Sequence, residues 1–171
     1  MSDGNYGADR RFGDSFMPEV KAILGQFLLR DDFVDEDKER NTDLIVLQME
    51  AKRIGVRIQR YGYLKQYGDE FTIRYQRQSG YKTEYQKIIE GWGDYFFYGF
   101  ADANGFRLGK WFIGDYNAFR KFAHNEVCRY GINALKRRMQ VNNFGNGSSF
   151  LAYRKDEISD FVVADSESWL I

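Results

Sequence analysis

The sequence predicts an α+β fold, a single domain in which a mixed β-sheet is flanked by helices. Three observations predict it. Phe16, Val20, Ile23, Leu24, Phe27 and Leu28 recur at helical spacing, residues 54–59 and 71–76 alternate apolar and polar side chains with strand period, and the runs 44–47 and 95–100 are rich in β-favouring residues. The 171 residues include 15 Phe and 12 Tyr, enough aromatic area for one domain to bury a sizeable core.

In chain order, residues 1–13 read as a flexible N-terminus, since they show no apolar period, and the single domain runs over 14–171. Ser15 followed by Pro18 marks a helix start, predicting a helix over about 14–29. Asp31, Asp32, Asp35, Glu36, Asp37 and Glu39 then predict an exposed acidic loop. Asn41-Thr42-Asp43 leads into Leu44-Ile45-Val46-Leu47, the pattern of a strand buried on both faces. Ile54, Val56 and Ile58 predict a core-directed face, opposite a polar face of Gly55, Arg57 and Gln59. Phe71, Ile73 and Tyr75 repeat this against Thr72, Arg74 and Gln76. The two segments are read as neighbouring strands, joined by a Tyr-rich connection between Gly62 and Gly68.

Tyr85, Ile88, Ile89 and Trp92 mark one side of a short helix over 82–91. Asn104-Gly105 predicts a turn between strands at 95–100 and 110–114, and Asp115 precedes a further helix. A Gly/Asn/Ser loop at 142–149 separates this from two short late elements at 150–153 and 161–163.

Composition excludes several classes of function. One Cys and one His cannot make an intramolecular disulfide or the usual four-ligand zinc site, and His124 and Cys128 have no companions. No Walker, dinucleotide or serine-elbow motif is present. No run approaches the length of a membrane span and the start lacks a leader pattern, which predicts a cytoplasmic protein without a membrane partner.

The 25 basic and 25 acidic residues cancel, so any polyanion site must be local. Charge is unevenly placed: Lys52, Arg53, Arg57, Arg60, Lys65, Arg74, Arg77, Lys82 and Lys87 face only Asp69, Glu70 and Glu84 over 52–87. Arg57, Gln59, Arg60, Arg74, Arg77 and Lys82 are the candidate nucleic-acid-binding residues. Arg57 and Arg74 on one face, with Lys87 near, would make a phosphate-sized patch whose charges repel unless an anion or acid sits between them. Glu84 and Lys87 are i, i+3 neighbours, and read as an ordinary helix pair or as site residues.

A helix bearing Glu19, Asp43 at a strand start, a strand with charged alternate residues, a third strand and a helix resemble the core of the PD-(D/E)XK, or restriction-endonuclease-like, superfamily over roughly residues 14–98. The resemblance implies an αβββαβ core in which a metal-binding Asp and an E-x-K pair position Mg²⁺ or Mn²⁺ and water at a phosphodiester. Asp43 matches the Asp. The next strand offers Gly55-Val56-Arg57 or Arg57-Ile58-Gln59, neither with the acid, while Glu50-Ala51-Lys52 falls in a turn. Either Glu84 with Lys87 supplies the missing groups, giving a catalytic set of Asp43, Glu84, Lys87 and Arg57 and metal ligands Asp43, Glu84 and Glu19, or the fold binds without cutting. Glu19 also reads as a first-turn acid favoured by the helix dipole.

The segments RNTDLIVL, VRIQRYGY, EFTIR and KWFIGDYNAFR also resemble phage and prophage proteins. Together the resemblances imply a phage-type nucleic-acid-binding protein in the host cytoplasm, with DNA favoured over RNA and metal-dependent cleavage if the site is live. The alternative is a non-catalytic inhibitor of a host restriction or CRISPR effector, its acidic segments 31–39 and 156–167 imitating phosphate. Trp169-Leu170-Ile171 is an apolar tail that either packs on its own core or joins a homodimer.

Overall fold

The helical period at 16–28 and the strand periods at 54–59 and 71–76 fall in different parts of the chain, which divides into a unit of residues Met1–Ala51 and a unit of residues Lys52–Ile171. The computed structural model describes residues 3–28, 51–77, 80–141 and 148–167.

In the first unit α1 spans Asp3–Ser15 and α2 spans Met17–Leu28. The segment read as a flexible N-terminus is thus helical, and the predicted helix over 14–29 is two helices that meet at Phe16. Local contacts explain what an apolar period does not show. Arg10 and Asp14 are an i, i+4 pair at 3.8 Å, and Ser15 Oγ donates to the Phe12 carbonyl at 2.7 Å. Phe12 and Phe16 meet edge to face with centroids 5.1 Å apart. The predicted strand 44–47, Asp43 and the acidic loop 31–39 lie outside the described residues, as does the tail 169–171.

The second unit is α+β, with a mixed sheet and flanking helices. Its elements in order are β1 (Ile54–Gln59), α3 (Tyr61–Tyr67), β2 (Glu70–Gln76), α4 (Glu84–Ile89), β3 (Tyr95–Ala101) and β4 (Leu108–Asp115). They are followed by α5 (Tyr116–Tyr130), α6 (Asn133–Arg138), β5 (Met139–Val141), β6 (Ser149–Arg154), a 3₁₀ turn at Lys155–Glu157 and β7 (Val162–Asp165). One sheet has the order β1-β3-β4-β7, parallel between β1 and β3 and antiparallel elsewhere; a second, antiparallel sheet has the order β2-β6-β5.

This corrects the expectation that 54–59 and 71–76 are neighbouring strands. The Tyr-rich connection between them is the helix α3, whose Leu64 packs against the core, and it carries the chain from one sheet to the other. β1 then pairs with β3 from Ile54↔Tyr95 to Gln59↔Phe100, while β2 pairs with β6 from Glu70↔Arg154 to Gln76↔Ser149.

The aromatic surplus is used between the sheets. Phe71 of β2 stacks on Phe161 at 4.9 Å and on Tyr153 at 5.6 Å, and meets Phe112 of β4 edge to face at 5.8 Å. Phe119 of α5 closes on Tyr153 at 5.0 Å. Each such ring removes a large apolar area from water, which is the dominant stabilising term here. β3 is buried on both alternations, as its unbroken aromatic sequence predicts; Phe97 stacks on Trp111 on the face opposite Phe96 and Tyr98. Gly114 makes room for the Phe161 ring, since a Cβ there would lie 2.4 Å from it.

Chain punctuation follows the sequence closely. Thr83 and Gln86 form a reciprocal capping box at the start of α4, and Asp115 accepts from the Asn117 and Ala118 amides to cap α5. Asp102 Oδ1 accepts from the Phe106 and Arg107 amides around the β3–β4 turn, where Gly105 has φ of 74°.

Lys136, Arg137 and Arg138 form the basic last turn of α6, and Arg138 is drawn into the fold. Arg138 donates to both oxygens of Glu126, to both oxygens of Glu157 and to the Ala152 carbonyl, with its guanidinium 4.5 Å from the Tyr153 ring centroid. Burial opposes its charge, and the hydrogen bonds to Glu126 and Glu157 outweigh that and raise its pKa.

Candidate functional site

The two sheets approach each other at a polar seam, and the seam gathers residues from six elements. Arg57 lies mid-strand on β1, on the face that its polar alternation marks. Its Nη1 donates to the Thr72 carbonyl at 3.0 Å and to Thr72 Oγ1 at 3.3 Å on β2, and its Nη2 donates to Glu84 Oε2. Glu84 is the first residue of α4, fixed there by the Thr83 cap, and the same Oε2 accepts from the Arg74 amide at 3.0 Å. A single carboxylate oxygen therefore ties β1, β2 and α4 together.

Around this pair, Gln59 Nε2 donates to the Tyr98 hydroxyl at 3.0 Å, which itself lies 3.5 Å from Thr72 Oγ1. The guanidinium carbons of Arg57 and Arg74 stand 5.8 and 5.3 Å from the centroid of the Phe150 ring on β6. Gly55 leaves room for Tyr116, whose hydroxyl would lie 2.9 Å from a Cβ at that position. Burial raises the Tyr116 pKa and the negative charge of Glu84 adds to the rise, while Arg57 and Arg120 oppose it. Tyr116 is thus a neutral hydroxyl at ordinary pH.

The face assignment of β1 is accordingly reversed. Gly55, Arg57 and Gln59 look into the seam, whereas Val56 is 36% exposed and Ile58 lies against Gly99 on the opposite side. The alternation is legible in the sequence, but an edge strand beside a second sheet directs its polar face inward once a carboxylate is there to meet the arginine.

The predicted site residues separate into three groups. Arg57, Arg74, Glu84 and Gln59 come together, although β1 and β2 belong to different sheets. Arg60, Lys82 and Lys87 are exposed on the surface, with Lys82 paired to Glu90 at 2.6 Å, and Arg77 is partly exposed with its guanidinium 5.8 Å from the Tyr81 ring centroid. Glu84 turns to Arg57 rather than to Lys87, so the i, i+3 helix pair is not the one formed. Glu19 lies in the first turn of α2 in the other unit, and Asp43 lies outside the described residues.

No family model, curated protein or solved structure matches this chain. The functional reading rests on the chemistry of its own residues.

Mg²⁺ and Mn²⁺ require several oxygen ligands of their own, chiefly carboxylates and water. Among the described residues no group of three or more His, Cys, Asp or Glu side chains is placed to hold a metal ion. Among the described residues Glu84 is the one carboxylate of the predicted metal set at the seam, and its Oε2 already serves the Arg57 guanidinium and the Arg74 amide.

Sequence reasoning missed Thr72, Tyr98, Tyr116 and Phe150 as partners of the seam, because each reads locally as an ordinary strand or core residue. It also missed the helical form of the connection 61–67. The i, i+4 spacing of Tyr63 and Tyr67 was the available signal for that.

Proposed function

We propose that the chain is a nucleic-acid-binding protein that binds without cutting, with DNA favoured over RNA. The observation that carries this reading is the engagement of Glu84: among the described residues it is the one carboxylate of the seam, and its Oε2 is committed to Arg57 and the Arg74 amide. What it leaves outside is positive. Between Glu50 and Asp69 the chain has five cations and no acid. Of these Arg57 is drawn inward, while Lys52, Arg53, Arg60 and Lys65 are exposed around β1 and α3. Such a local cluster attracts phosphates by counterion release even though the chain is neutral overall.

The restriction-endonuclease-like core belongs to this reading as a degenerate version. The strand, helix and strand at 70–76, 84–89 and 95–101 follow the order that the resemblance implies. The helix between the first two strands, and their separation into two sheets, depart from the pattern that the resemblance implies. An inhibitor that imitates phosphate gains no support from the C-terminal acids. Asp156 pairs with Arg154, Glu157 with Arg138, Asp165 with Lys155 and Glu167 with Lys110 within the chain.

Fluorescence-anisotropy titrations of labelled single-stranded and duplex DNA and RNA over a range of salt test the proposal. Binding should weaken steeply with salt, and Arg60→Ala and Lys65→Ala should each lower the slope of log K against log salt by about 1 for every phosphate that is no longer neutralised. Salt-independent binding, or none, would contradict it.

A further inference from the structure

Helix α3 carries a second surface that folding does not explain. It runs Tyr61-Gly62-Tyr63-Leu64-Lys65-Gln66-Tyr67 and none of its residues is buried. Leu64 anchors it against the core, and the close approach of Gly68 to the Leu64 carbonyl, 2.8 Å from a Cβ there, fixes its end. With that face inward, Tyr63 and Tyr67 lie one helical turn apart and are 47% and 40% exposed. Their ring centroids are 6.3 Å apart and their planes inclined at 31°. Lys65, one turn after Tyr61, holds its ammonium 5.5 Å from that ring's centroid, and Arg60 precedes the helix.

A tyrosine fully buried in a core contributes a large apolar area, so two neighbouring rings left open on a short helix forgo that contribution. Arg60 and Lys65 are exposed beside them, while Asp69 and Glu70 line the same hollow as Lys65 and Tyr67, with Asp69 paired to Lys110 at 3.4 Å. A polyanion with flat aromatic groups meets open rings and neighbouring cations together, which an apolar protein surface does not. We propose that Tyr63 and Tyr67 are a stacking platform for the unpaired bases of a single-stranded nucleic acid, with Arg60 and Lys65 on its phosphates. This rests on the nucleic-acid reading above and adds to it the strandedness and the contact. Bases in a duplex are stacked on one another and offer no open faces to the rings, so single strands are preferred.

The test uses the full chain, a labelled oligothymidylate, an abasic strand of equal length and a duplex, all compared by anisotropy. Tyr63→Ala/Tyr67→Ala should lower affinity for the oligothymidylate by roughly ten-fold or more, and Tyr63→Phe/Tyr67→Phe should retain it. The abasic strand should bind both variants as it binds the parent chain. Unchanged oligothymidylate binding by the alanine pair overturns the platform while leaving the nucleic-acid reading intact. An equal loss for the abasic strand also overturns it, since the rings then act through folding and not through bases. A parent chain that binds no strand overturns both readings. A parent dimer that dissociates on the alanine substitutions shows that a second copy covers the rings, and likewise overturns the platform.

Discussion

Arg57 and Glu84 meet across the boundary between two sheets, the guanidinium of one donating to the same carboxylate oxygen that accepts the Arg74 amide. Their side chains are 20% and 26% exposed, so the pair is shielded enough for its loss to matter and open enough for solvent to moderate it. Glu84→Gln should destabilise the chain by about 1–3 kcal/mol in urea denaturation, because Arg57 is left with a weaker partner in a half-buried seam. The double change Arg57→Met/Glu84→Leu should cost less than the sum of the single changes, the mark of a coupled pair. Additive losses would show that the two residues act independently.

The inter-sheet core turns on Phe71, 1% exposed and in ring contact with residues of both sheets and α5. Phe71→Ala should cost about 3–5 kcal/mol, the usual range for emptying a large aromatic site. Thermal denaturation followed by near-ultraviolet circular dichroism would report it, as loss of the aromatic signal at a lower temperature.

Overpacking supplies the opposite test. A methyl group at Gly114 would lie 2.4 Å from Phe161, itself stacked on Phe71 and 1% exposed. Gly114→Ala should therefore destabilise by about 1–3 kcal/mol. Gly114→Ala combined with Phe161→Leu should recover part of the loss in the same denaturation assay, since the clash is with the ring.

Much of this architecture is legible in the residues. Periods and caps locate the second unit's larger helices and strands because they are local: Asp115 before α5, the Asn104-Gly105 turn and the aromatic run of β3 each declare themselves within a few residues, whereas the Thr83 cap starts α4 two residues later than the expected 82. Sheet membership is not local. Nothing in 54–76 distinguishes a hairpin from a crossover, and the choice depends on a helix of seven residues whose tyrosines also suit a loop or strand. The candidate site is legible in part for the same reason. The need for an acid between Arg57 and Arg74 follows from Coulomb's law, and Glu84 meets it. The inward direction of β1's polar face depends on β2 and β6, which no period within β1 records.

Alkaline pH should weaken the fold through its buried tyrosines. Burial raises the pKa of Tyr116 and of Tyr153 above the ordinary 10.0, with Glu84 adding in the first case and Tyr85 in the second. The folded chain then keeps protons that the unfolded chain releases. Stability from this source is complete below about pH 10 and falls as pH rises beyond it, by up to about 1.4 kcal/mol per pH unit for each tyrosine. The Tyr153 hydroxyl is buried without a hydrogen-bond partner among the described residues. Tyr153→Phe should accordingly change stability by less than about 1 kcal/mol near neutral pH and reduce the alkaline slope. Urea midpoints measured from about pH 7 to about pH 11.5 would check both; an unchanged slope in Tyr153→Phe would assign the alkaline loss elsewhere.

The proposed nucleic-acid surface needs no metal, with Oε2 of Glu84 committed to Arg57 and the Arg74 amide. The most direct measurement incubates the chain with labelled single-stranded DNA in EDTA and in Mg²⁺ or Mn²⁺, reading affinity by anisotropy and strand length on a denaturing gel, with Glu84→Ala and Asp43→Ala in parallel. Equal, salt-sensitive binding in EDTA and in metal is expected, with the strand intact throughout. Metal-dependent cleavage that disappears in Glu84→Ala or Asp43→Ala would contradict it.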